Sequence, residues 1–158
     1  MTTPTDKIQK GIVTTLQASD ALLILFGWDG ITSGDRAKYA AQVRWHFDPT
    51  QQEDLYPYVV IYRANFIPSA KFGDERHGEV SYMLECFHNQ QTSVPASQVL
   101  QLAAELLNGE AGKRALSSED VTVYWAFYDG PGPEMMDPNF HLWFQRSTLK
   151  LTVEYFNS

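Results

Sequence analysis

The segment Tyr56-Pro-Tyr-Val-Val-Ile-Tyr-Arg-Ala64 limits the fold more than any other. In an extended chain Val60 and Tyr62 point one way, Val59 and Ile61 the other. Both faces are apolar, so a strand formed here needs cover on both sides at its centre. Pro57 has no N–H to give a ladder and belongs at the strand's start or on an edge.

Three further segments alternate in the manner of strands. Val80, Tyr82, Leu84 and Cys86 alternate with Ser81, Met83 and Glu85, which predicts a half-buried strand antiparallel to the first. Val121, Val123, Trp125 and Phe127 alternate with Thr122, Tyr124, Ala126 and Tyr128. The last strand covers 140–156, with Leu149, Leu151, Val153 and Tyr155 on one face and Leu142 and Phe144 in the opposite phase. One inserted residue reverses an alternation, so a bulge is expected near Arg146–Thr148.

Two amphipathic helices complete the frame. Ile8, Ile12, Val13 and Leu16 fall on one face at spacings of three and four, with Thr5 as the expected N-cap. A short turn over 21–26 follows, closed by Gly27 and Gly30. Val99, Leu100, Leu102, Ala103, Leu106 and Leu107 form the second apolar face, with Thr92 or Ser93 as cap, Pro95 in the first turn and Asn108-Gly109 at the end. Residues 27–55 read as irregular apart from a short strand at 42–48. Residues 68–79 read as a polar tip, 110–119 as a polar connection and 129–139 as a Gly/Pro loop. The expected fold class is α+β: a single-layer, mainly antiparallel sheet with two helices on one face, in the order α-β-β-α-β-β. The chain of 158 residues is read as one domain, 1–158.

Composition narrows the function classes. Twelve basic against nineteen acidic residues leave a net charge of −7, which argues against a grip on nucleic-acid phosphate. Cys86 is the only cysteine and has no internal disulfide partner. The first residues are polar, and the longest unbroken apolar run, 21–26, is far short of the roughly 20 residues that span a bilayer. The chain therefore reads as soluble and intracellular, with no membrane partner.

Catalytic patterns are sparse. The sequence has no Gly-x-Ser-x-Gly elbow, P-loop, dinucleotide glycine fingerprint, His-Glu-x-x-His or Cys-x-x-Cys. Gly130-Pro-Gly-Pro133 lacks the lysine and helix that cradle phosphate and reads as a turn. His46 and Asp48 share one side of an extended segment but lack a third ligand nearby. Asp129, Glu134, Asp137 and His141 surround the Gly/Pro loop and read as solvated groups rather than an acid–base pair. Cys86 lies on its strand's inward phase and reads as a buried, inert thiol. No catalytic, cofactor-binding or metal residue is assigned, and no enzyme activity is expected.

The aromatic share, 13%, is high for a chain of this size. Tyr58, Tyr62, Tyr82, Trp125, Phe127 and Tyr155 are assigned to the sheet. Trp28, Phe66, Phe72 and Phe140 lie in segments that do not read as core. With Arg76, Met135 and Met136 they are the expected interface residues, because aromatics, Met and Arg are enriched in the cores of protein interfaces.

This layout resembles the tail-terminator, or tail-completion, family of long-tailed bacteriophages and phage-like particles. The resemblance is carried by the helix 6–16 running into Asp20-Ala-Leu-Leu-Ile-Leu-Phe26. It continues through Leu55-Tyr-Pro-Tyr-Val-Val-Ile61, the strand 80–87, the helix 96–107, the strand 121–129 and the closing Leu149-Lys-Leu-Thr-Val-Glu-Tyr155. It covers most of the chain, and Tyr56-Pro-Tyr-Val-Val60 is its most local motif. The resemblance implies a structural virion protein without a cofactor. Such proteins form a homo-oligomeric ring, typically a hexamer, on the head-proximal end of the tail tube. The ring ends tube growth and meets the tail-tube protein and a head-completion or connector protein, and DNA passes its lumen without specific binding. The location implied is the virion tail, with the host cytoplasm during assembly. A head–tail connector or stopper ring, a small α+β enzyme and a monomeric binding module remain the alternatives.

Overall fold

The computed structural model describes residues 4–28, 32–44, 57–68, 77–88, 95–138 and 142–156. The fold is α+β, with helices packed on a six-stranded, mostly antiparallel sheet. The helices are α1 (Pro4–Gln17), α2 (Asp20–Leu25), α3 (Ser33–Ala41), α4 (Ala96–Leu107) and α5 (Gly109–Leu116). The strands are β1 (Val43–Arg44), β2 (Tyr58–Pro68), β3 (His77–His88), β4 (Val121–Asp129), β5 (Met135–Asp137) and β6 (Leu142–Tyr155). They lie in the order β1-β2-β3-β6-β4, with β5 paired to β6. Among the described residues only the β1–β2 pair is parallel.

The main core sits between the helices and one face of the sheet. Ile8, Ile12 and Leu16 of α1 and Val99, Leu100, Ala103 and Leu107 of α4 pack against Val59, Ile61, Val80, Tyr82, Leu84, Cys86, Leu149, Leu151 and Val153. Burial on this scale, roughly 1.5–3 kcal/mol per large apolar side chain, holds the two layers together. The opposite, open face carries a smaller cluster at one end, formed by Tyr58, Val60, Phe87 and Leu142 with Tyr62 and Phe144 against it. Tyr58 stacks on Phe87 with ring centroids 5.1 Å apart, and Phe87 on Phe144 at 5.2 Å. All four residues Tyr58–Ile61 are buried, so the two-faced strand is covered on both sides as its sequence requires.

Several expectations need correction. Helix α3 lies inside the segment read as irregular. It was obscured because its sequence, Ser-Gly-Asp-Arg-Ala-Lys-Tyr-Ala-Ala, offers one large apolar anchor. That anchor is the buried Tyr39, which meets Phe26 edge-on at 5.3 Å and donates its hydroxyl to the Leu16 carbonyl. The Thr32 hydroxyl caps the helix by accepting from the Asp35 N–H at 3.1 Å. Helix α5 occupies the supposed polar connection. Its inward side carries one large residue, the buried Leu116, and a glycine at close approach, since a Cβ at Gly112 would lie 1.9 Å from the Leu107 carbonyl oxygen.

Strand β5 falls within the Gly/Pro loop. Helix α1 begins at Pro4, so Thr5 lies inside it, and α4 has Pro95 at its N-cap position, with no side-chain cap bond. Gly27, with φ of 96°, closes α2 as expected. Of the strand expected at 42–48, Val43–Arg44 is described. Thr92, Ser93 and Gly30 lie outside the described residues.

The bulge expected in β6 is absent, as β3 and β6 pair without a register shift from His77–Glu154 to His88–Trp143. The reversal of phase in β6 has another cause. Leu142 and Phe144 serve the small cluster on the open face, and Leu149 onward serve the main core. Two bulges occur elsewhere, one in β2 between Arg63 and Asn65 and one in β4 between Val123 and Trp125.

Candidate interaction surface

These two bulges decide which aromatic side chains meet solvent. In β4 the pairing runs Val123 with Val153, then Trp125 with Thr152, leaving Tyr124 as the extra residue. Past that point Ala126 and Tyr128 take the core side, paired with Leu151 and Leu149. Trp125 and Phe127 turn onto the open face. They are 50% and 41% exposed, and Tyr124 is 51% exposed. Their rings stack at 5.5 Å with planes 7° apart. In β2 the extra residue is Ala64, and its effect is the reverse, because Phe66 is brought to the core side opposite Val80. There it packs against Tyr155, with ring centroids 5.8 Å apart.

The interface candidates from sequence are thus dispersed. Trp28 is half-buried against the main core. Its Nε1–H donates to Gln42 Oε1 at 2.7 Å, and Lys38 lies over its ring at 5.4 Å. Phe66 is half-buried in the way just described. Met135 and Met136 sit on β5, paired with Phe144 and Trp143, and Met136 is exposed. Phe72, Arg76 and Phe140 lie outside the described residues. Trp125 and Phe127, which the reading from sequence accounted for by the sheet and did not place among the interface candidates, form an exposed stacked pair. The available signal was the equal apolarity of the two phases of this strand, which let either side be buried.

The patch has ordered polar surroundings. The Tyr124 hydroxyl donates to Glu154 Oε1 at 2.6 Å, which raises the phenol pKa above its ordinary value. His77 Nε2 lies 2.7 Å from the other carboxylate oxygen of Glu154. Exposed Lys150 is paired in register with Phe127, and exposed Glu79 lies across from Thr152. The outer edge of β4 is tied to the two ends of α5. The Val123 N–H donates to Ser117 Oγ at 3.1 Å and the Tyr128 N–H to Asn108 Oδ1 at 3.0 Å. A partner strand would find these donors taken, so the accessible feature is the face and not the edge.

Other polar groupings are self-contained. Glu85 is buried on the open face, accepts from the Tyr62 hydroxyl and faces Arg146 at 3.5 Å. Burial first, and the Glu85 hydrogen bond second, push the Tyr62 phenol up to about 12. Glu134 is held by His88, with Nε2 2.7 Å from Oε1, while Asp129 ends β4 and Asp137 pairs with Leu142. His46, Asp48 and His141 lie outside the described residues. A cleft of about 300 Å³ between α1 and the α5–β4 corner is bridged by the Lys7–Asp120 ion pair. Cys86 is fully buried, and desolvation pushes its thiol far above the ordinary range. Among the described residues no three His, Cys, Asp or Glu side chains gather as metal ligands, and no helix is long and apolar enough to cross a membrane.

No protein-family model matches the chain, and no curated protein matches it.

Proposed function

We propose that this protein is a structural assembly component of the tail-terminator type. It forms a ring that caps the head-proximal end of a tail tube, ends tube growth and joins the tail to the head. The observation that carries the reading is the outward-facing trio Tyr124, Trp125 and Phe127 on a sheet whose other face is filled by helices. Large, rigid aromatics at a surface lose little side-chain entropy on contact and serve as anchors between protein partners. The layout of elements supports it further, because the helix, hairpin, helix and two closing strands stand in the order that the resemblance rests on. The net charge of −7 suits a lumen that DNA passes without being held, as the chain adds few attractive phosphate contacts.

The test is to produce the chain together with the tail-tube protein of the same particle and to image the tubes. Tubes of one length with a ring at one end are expected. Tubes of unrestricted length with bare ends overturn the reading, and so does a ring found only on the head connector, which marks a stopper.

A further inference from the structure

We propose that the exposed half of the open sheet face is a self-complementary surface that receives a second copy of this chain, face to face about a two-fold axis. The contact concerns two copies only and does not depend on the tail reading.

The strand register defines the surface. One row across the sheet runs Asn65, Ser81, Lys150, Phe127, and the next runs Ile67, Glu79, Thr152, Trp125. Each row carries an aromatic residue on β4, and the second also carries Ile67, 55% exposed, at its β2 end. The middle strands carry one exposed charge of each sign, Glu79 on β3 and Lys150 on β6.

Consider an axis parallel to the strands and midway between β3 and β6. It exchanges β2 with β4 and β3 with β6. Ile67 of one copy then lies over Trp125 of the other, twice by symmetry, and Asn65 lies over Phe127. Lys150 lies over Ser81, one step along β3 from Glu79 and within reach of its carboxylate on a flexible stem. Glu79 lies over Thr152, so no like charges oppose each other. Two sheets packed this way stand about 10 Å apart, a gap that Trp, Phe and Ile side chains fill. Residues meeting their symmetry partners in reciprocal pairs are what an isologous interface requires. The patch carries both signs of charge, which a strongly acidic or basic partner would not match on both strands.

The full chain carrying Ile67→Cys and Trp125→Cys tests the geometry. Within one copy these positions are three strand spacings apart, about 14 Å, too far for an internal disulfide. Native Cys86 is buried. A short bismaleimide, long enough to span the gap of about 10 Å between the sheets but not three strand spacings, is expected to couple the double variant into a covalent dimer and to leave either single variant monomeric. A monomeric double variant overturns the proposal, and so does a single variant that cross-links as well as the double. Sedimentation equilibrium of the uncoupled chain gives the second readout. Lys150→Glu is expected to weaken dimerisation ~10-fold or more, and adding Glu79→Lys to restore it. An unchanged dimer in Lys150→Glu, or no recovery in the double charge swap, overturns it equally. Trp125 and Phe127 cannot meet both partners at once, so this contact is one between free copies that ring assembly would replace; tube length plays no part in either readout, so the two readings fail distinguishably.

Discussion

Trp125 and Phe127, two residues apart on β4, stack at 5.5 Å on the open face of the sheet, because Tyr124 is an extra residue in the ladder. The same strand buries Ala126 and Tyr128 in the main core. A side chain in this stack therefore contributes contact area at the surface and little to the interior.

Stability should separate these roles. Trp125→Ala is expected to cost under about 1 kcal/mol in urea unfolding, as surface truncations do. Leu149→Ala, at a fully buried position on the neighbouring strand, is expected to cost about 2–5 kcal/mol. Equal costs would place Trp125 in the core.

Helix α5 rests on Gly112, whose hypothetical Cβ would lie 1.9 Å from the Leu107 carbonyl oxygen and 3.1 Å from Ala126 Cβ. Helix propensity alone favours alanine there by about 1 kcal/mol. The backbone clash outweighs it, so Gly112→Ala is expected to destabilise by about 1–3 kcal/mol, read as a lower urea midpoint with an unchanged slope.

Trp28 is a fastening residue in this fold. Gln42 is buried, donates to the Pro57 carbonyl at 2.7 Å and accepts from the Trp28 indole. Trp28→Phe leaves Gln42 Oε1 without that donor and is expected to cost about 1–3 kcal/mol of stability. A variant with native stability but lost assembly would return Trp28 to the interface.

Alkaline pH should unfold the protein. Tyr39, Tyr128 and Tyr155 are raised well above the ordinary phenol value by burial, and Tyr62 to about 12. In the unfolded chain these groups ionise near 10, so the native state holds more protons above that pH. Their contribution is full below about pH 10 and is lost as pH rises toward and through the folded values. Urea midpoints at pH 8, 10 and 11 should fall in that order. Glu85→Gln removes a group that raises the Tyr62 pKa and should bring its ultraviolet titration to lower pH.

Much of the fold was legible because its signals are local. Alternation in 80–86 and 149–155 and the apolar faces of α1 and α4 each bury one consistent side, and the doubly apolar stretch 58–61 is covered on both. Helices α3 and α5 were hidden because each offers a single large apolar anchor, Tyr39 in α3 and Leu116 beside Gly112 in α5, too few to make a repeating apolar pattern. The interaction surface was misplaced for a related reason. Sequence pointed to aromatics outside the regular elements, and Phe66 proved to be a strand residue turned inward.

What the sequence determined by itself is that four alternating segments and two amphipathic helices must form an α+β layer, and that aromatics exceed what one core face needs. Which aromatics are left over was decided by tertiary structure. Both phases of 121–128 are apolar enough to be buried, so alternation alone does not choose between them. The space beneath Gly112 admits the methyl group of Ala126. Val121 and Val123 before the bulge and Ala126 and Tyr128 after it face the core, and the one extra residue at Tyr124 sends Trp125 and Phe127 to the outside.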